Sequence, residues 1–180
     1  MQAGNPEEAA RHLRASLSSE ETADALLTLG RLEEQTGSAT EALRHYRRAL
    51  DLTPNATPVD TMQRAQILES LGDTFAATNN TAQSERMYRS ALEAWDDLGP
   101  ELLAQPDAAP ALARLQVRRG VLQDRLGDHE AAVASFRQAT RTSPQMREIY
   151  ATILAHLAAV SAPDVAYAQE VFQLSQRQLT

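Results

Sequence analysis

The 180-residue chain contains no cysteine and no lysine. Without cysteine there is no disulfide framework, no thiolate zinc site and no thiol nucleophile. The compartment, cytoplasm or periplasm, stays open, because proteins of either can lack cysteine. Without lysine there is no Schiff-base chemistry, and all seventeen cations are arginine. Aromatic residues make up only 4%, and valine and isoleucine are scarce beside alanine, leucine, glutamate, glutamine and arginine. That balance favours helix over sheet. Long apolar runs are missing too. The longest mostly apolar stretch, Thr152 to Val160, is about half a membrane span and carries His156, so no direct membrane insertion is expected. The opening residues, Met1 to Glu8, have neither a basic start nor an apolar run and do not read as a signal peptide. Seventeen cations against 24 carboxylates give a net charge of −7. An acidic chain repels phosphate, which disfavours nucleic acid as a partner.

Motifs for catalysis are equally scarce. His12, His45, His129 and His156 fall in neither His-x-x-x-His nor His-Glu-x-x-His spacing, whereas zinc needs three or four convergent donors. No Gly-x-Gly-x-x-Gly or Gly-x-x-x-x-Gly-Lys loop is present to cradle phosphates, and no Gly-x-Ser-x-Gly turn carries a serine. Adjacent carboxylates such as Glu33/Glu34 and Asp96/Asp97 point about 100° apart on a helix, which suits solvated faces better than a catalytic pair. The residues thus point to a non-enzyme with no metal and no cofactor. Asn55-Ala56-Thr57 and Asn79-Asn80-Thr81 match a glycosylation triplet that is common by chance.

What the sequence does contain is a repeat. From Gly30, offsets of 12, 16, 19 and 24 residues reach Ala42, Tyr46, Ala49 and Pro54. From Gly120 the same offsets reach Ala132, Phe136, Ala139 and Pro144, and from Gly72 they reach Ser84, Tyr88, Ala91 and Asp96. Seven residues past each glycine stands Gly37, Asn79 or Gly127, residues that tolerate a left-handed turn between two helices. Small residues at the glycine and alanine places let two helices cross closely, and the aromatic fills the volume beside the crossing. Proline then ends the second helix. The third unit departs from this pattern with Gln116, Arg119 and Gln123, where large apolar residues are usual.

This pattern resembles the tetratricopeptide repeat, a helix–turn–helix unit with small and aromatic residues at fixed places. The resemblance runs over roughly 22–144. The glycines are 42 and 48 residues apart, against a standard repeat of about 34, with the excess at Asn55–Asp60 and Leu98–Pro110. The stretch Ala82 to Leu92 and its continuation to Glu101 resembles the longer-helix units of kinesin-light-chain-like arrays. The resemblance implies an all-α, right-handed solenoid of antiparallel helix pairs, with about nine helices. These are expected near 6–17, 22–35, 38–51, 59–78, 81–98, 108–126, 129–141, 146–160 and 164–178. The units divide as 1–21 (second helix of a cut unit), 22–57, 58–106, 107–144 and a degenerate 145–180, as in a fragment of a longer array. In the last unit Ala168 and Phe172 take the four-residue spacing of Ala42 and Tyr46, so Tyr46, Tyr88, Phe136 and Phe172 are expected as packing residues.

Arrays of this family commonly hold a peptide or helix of a partner protein against an inner surface lined by the first helix of each unit. By that resemblance the inner face carries Asp24, Leu27, Thr28 and Arg31, then Gln66, Ser70 and Asp73, then Arg114, Arg118, Val121 and Arg125. Arg114, Arg118 and Arg125 fall within about 40° of one another on a helix. They form a basic strip suited to an acidic segment or a terminal carboxylate, unless Glu69, Asp73 or Asp124 neutralises it or it is simply solvated. Leu27 and Ser70 stand where one carboxylate-clamping subtype has Lys and Asn, so that clamp is not expected. The alternatives to a binding scaffold are a structural spacer or assembly segment of an envelope or secretion machine, and a regulatory array of a multidomain enzyme.

Overall fold

The computed structural model describes residues 21–54, 56–159 and 165–177. Among them are eight α-helices and no strand: α1 (Ala23–Gln35), α2 (Ala39–Leu52), α3 (Pro58–Ala77), α4 (Thr81–Leu103), α5 (Ala109–Arg125), α6 (His129–Thr142), α7 (Arg147–Ala159) and α8 (Val165–Arg177). The ninth expected helix, at 6–17, lies outside the described residues. Two compact units divide within α4, one up to Ala94 and one from Trp95.

Helix boundaries follow from local chemistry. The Thr22 side chain accepts from the Ala25 backbone N–H at the start of α1. Thr57 and Asp60 satisfy one another's backbone N–H groups in a capping box, with Pro58 in the first turn of α3. The Asp128 side chain accepts from Ala131 N–H and caps α6. Three helices end alike. The N–H groups of Ser38, Asn80 and Asp128 donate to the carbonyls of Glu33, Phe75 and Gln123 at 2.8, 2.8 and 2.9 Å. The residue before each of these donors has positive φ: Gly37 at 80°, Asn79 at 59° and Gly127 at 85°. This closure uses up terminal carbonyls and needs a left-handed residue, which is why glycine or asparagine recurs seven residues past each repeat glycine.

The repeat glycines sit against the aromatics sixteen residues on. A Cβ at Gly30 would lie 2.3 Å from a Tyr46 ring carbon, at Gly72 2.4 Å from Tyr88, and at Gly120 2.4 Å from Phe136. In the first unit Leu26, Leu27, Ala42, Tyr46, Ala49, Ile67, Leu71 and Phe75 form one buried cluster, so α3 closes over the α1–α2 pair. In the second, α7 and α8 bring Ile149, Tyr150, Ile153, Leu157, Tyr167 and Val171 onto Ala113, Val117, Ala132, Phe136 and Ala139. Within each unit the following helix or helix pair thus completes the core of the pair before it, as stacked repeats require.

Three expectations are corrected. The helix expected to stop at 98 continues through Pro100 to Leu103. Pro100 lacks the N–H for the carbonyl four residues back and its ring crowds that carbonyl, yet the helix runs on for three residues, so part of the Leu98–Pro110 interruption is helical. Phe172 is 54% exposed, whereas Tyr167 and Val171 are buried. The inward register of α8 therefore lies one residue earlier than Ala168/Phe172, with Tyr167 stacked 6.3 Å from Phe136. Leu27 is buried within the core rather than presented on the inner face. Two of the third repeat's polar departures are engaged within the fold. Gln123 accepts from Ser135 Oγ at 2.7 Å, and half-buried Arg119 forms an ion pair with Asp96 at 3.0 Å.

Candidate functional site

In the first unit polar side chains tie α1 to α3. Gln63 Nε2 donates to Asp24 Oδ1 at 2.6 Å, tying α3 to α1. Tyr46 Oη donates to Glu34 Oε2 at 2.7 Å, and the Thr74 hydroxyl donates to the other oxygen of the same carboxylate. Glu34 therefore joins α1, α2 and α3. Burial, then the hydrogen bond to Glu34 and its negative charge, raise the Tyr46 phenol far above the usual tyrosine range, opposed by Arg31 and Ser70. Arg31 and Ser70 thus stand around this network, Arg31 exposed and Ser70 half-buried. Asp73 accepts from Tyr88 Oη at 2.7 Å and so holds α4 in place. Gln66 is half-buried. At the start of α3, Val59 and Met62 are exposed.

The second unit is different. Arg114, Val117, Arg118 and Val121 of α5 face Glu148, Ile149 and Thr152 of α7 across an open cleft of about 370 Å³. The floor is aliphatic and its rim is charged. Arg114 Nε donates to Glu148 Oε1 at 2.6 Å, with both side chains more than half exposed. Arg125 does not line this cleft. The carboxylate that meets Arg114 is thus Glu148, a residue the sequence did not bring forward. Asp124 is engaged elsewhere: its two oxygens lie 2.5 Å from His129 Nδ1 and 2.9 Å from His156 Nε2, joining α5 to α6 and α7. Sequence reasoning found Arg114, Arg118 and Val121 but missed Glu148, Ile149 and Thr152, because no glycine marks the register of α7.

Two more grooves, of about 400 and 300 Å³, flank Phe172 on the α7–α8 pair and are lined chiefly by apolar residues such as Leu154. Among the described residues no group of three or more His, Asp or Glu could hold a metal ion, and no helix is long and apolar enough to cross a membrane.

Models of the tetratricopeptide repeat match residues 21–97 and 113–146. Among solved structures, the chain is similar to TTC0263, a thermophilic tetratricopeptide-repeat protein of Thermus thermophilus. The TM-score is 0.61 at 19% identity, over 97% of this chain and 84% of that one. It is also similar to BtubC (BKLC) of P. vanneervenii, with a TM-score of 0.59 at 15% identity over 96% and 70%. MamA gives a TM-score of 0.55 at 17% identity over 98% and 92%. At such identities the likeness is one of fold. No curated protein matches the sequence. The chain belongs to the tetratricopeptide-repeat family, whose all-α helix pairs serve in general as protein-interaction scaffolds and are typically non-catalytic.

Proposed function

We propose that this tetratricopeptide-repeat chain binds an extended, acidic segment of a partner protein, with the α5–α7 cleft as its anchor. The observation that carries the reading is the composition of that cleft: Arg114 and Arg118 on the rim, and Val117, Val121 and Ile149 beneath. An arginine fork holds a carboxylate by directed hydrogen bonds, and an aliphatic floor receives the neighbouring side chain. Asp73 is occupied with Tyr88, and Arg125 lies off the cleft, so neither belongs to the anchor. The test is binding of peptides selected from a random display library, measured for the natural chain and for Arg114→Glu/Arg118→Glu over a salt series. The reading expects acidic peptides to be selected, and expects the double variant to lose both their affinity and its salt dependence. Unaltered affinity at low salt with an intact fold would contradict it.

A second reading, an assembly segment within a larger machine, is favoured by a different observation. Phe172 stands exposed between two largely apolar grooves, a surface suited to another packed helix. Under that reading Phe172→Glu, and not the arginine pair, governs association.

A further inference from the structure

We infer that Glu148 is a built-in competitor in the α5–α7 cleft, seated on Arg114 where the glutamate of a partner segment binds, so that the cleft selects a glutamate flanked by aliphatic residues and Glu148 sets its affinity. This rests on the cleft reading above and goes beyond it by assigning a residue that opposes binding.

The geometry supplies the argument. Arg114 Nε donates to Glu148 Oε1 at 2.6 Å, across the cleft from α5 to α7. The structure thus already shows a glutamate carboxylate seated on the rim arginine, which is why an internal glutamate, rather than a chain-terminal carboxylate, is the chemistry assigned. Glu148 stands in the first turn of α7, where the helix dipole favours a negative charge. The pair is also breakable. Its two side chains are 60% and 58% exposed, and exposed pairs of this kind are weak because water and salt screen them. A guanidinium has five N–H donors and can meet a carboxylate with two parallel bonds, whereas Glu148 is held through Nε. A partner glutamate that uses both edges of the fork, with its neighbours on Val117, Val121 and Ile149, can therefore displace Glu148. The bond given up is the one that Glu148 made.

The experiment uses the whole chain and two synthetic probes, Ac-Val-Glu-Val-NH2 and its neutral counterpart Ac-Val-Gln-Val-NH2. Each is titrated while the methyl resonances of Val117, Val121 and Ile149 are followed by NMR. The glutamate probe is expected to shift these methyls and the glutamine probe to leave them unmoved. Glu148→Gln keeps the shape and removes the charge. It should tighten the glutamate probe about two- to fivefold, the worth of an exposed ion pair. In the Arg114→Gln background that gain should collapse, because no fork remains to compete for. If the natural chain binds the glutamate probe in the cleft and Glu148→Gln binds it no more tightly, the competitor role is overturned while the cleft reading stands. A gain that persists undiminished in Arg114→Gln also overturns it, since mere relief of negative charge then accounts for the effect. If neither protein shows movement of the three methyls, the cleft reading fails and the competitor role with it. A free-carboxylate probe, Ac-Val-Val, binding more tightly than the glutamate probe overturns the assignment of an internal glutamate.

Discussion

Gly120→Ala sets two physical effects against each other. By helix propensity the change should stabilise α5 by about 0.8–1 kcal/mol, because alanine loses less backbone entropy. The close approach to α6 says the opposite. The new Cβ would lie 2.4, 2.5 and 2.9 Å from Cε1, Cδ1 and Cζ of Phe136, where carbon atoms in good contact are about 3.5–4.0 Å apart. The ring would have to withdraw by roughly 1 Å to restore that contact. It has nowhere to go. Phe136 is 1% exposed, stacked on Tyr167 at 6.3 Å and against His156 at 5.8 Å. Overpacking costs about 1–3 kcal/mol, and with the ring so confined the upper part of that range applies. The net expectation is a destabilisation of about 1–2 kcal/mol once the propensity gain is subtracted. Urea unfolding followed by circular dichroism at 222 nm would measure it, with Phe136→Leu and the double variant completing a cycle. Leucine shortens the ring, so Gly120→Ala should cost less in that background, with a coupling above about 0.5 kcal/mol. An increased stability of Gly120→Ala, or additive effects of the two changes, would refute the close crossing.

Asn79→Gly relieves the strain of a side chain at φ 59° and should stabilise the first unit by up to about 1 kcal/mol, whereas Gly127→Ala should cost about 1–2 kcal/mol; thermal melts of both variants check the opposite signs. Asp124→Asn weakens the contacts to His129 and His156 and should cost about 1–3 kcal/mol, seen as faster amide exchange in α7. Phe172→Ser should leave the melting temperature nearly unchanged, since the ring is exposed, while Val171→Ser should lower it clearly. The Tyr46 phenol is pushed up by burial and by Glu34, so its stabilising effect is complete below the ordinary tyrosine value of about 10 and is lost as pH rises above it. Absorbance at 295 nm should show a late-titrating phenol that Tyr46→Phe removes.

The paired contacts within each repeat were legible in the sequence because both partners lie on one hairpin. The sixteen-residue offset that links Gly30 to Tyr46 also links Gly72 to Tyr88 and Gly120 to Phe136, and each is a physical contact. The left-handed turns at Gly37, Asn79 and Gly127 were legible for the same reason. Where no glycine fixes the register, the four-residue spacing of Ala168 and Phe172 selected the wrong face of α8. The space left by Phe136 is filled by Tyr167 instead, and only packing decides that. Arg114, Arg118 and Val121 were expected on one face from the family resemblance, and they line one cleft. Glu148, 34 residues from its partner Arg114, carries no such signal. Nor does the spacing of Tyr88 tell that its hydroxyl donates to Asp73.

A partner segment held in the cleft between α5 and α7 leaves a local signature on the residues that line it. The most direct measurement is a residue-resolved map of a display-selected acidic peptide bound to the chain, with a spin label on the peptide broadening nearby resonances. The account predicts broadening of Val117, Val121, Ile149 and Thr152, with Ala134 and Gln138 on the opposite helix of the pair, α6, unaffected. Broadening centred on α6, or on the exposed Phe172 of α8, with the cleft resonances unchanged, would contradict it.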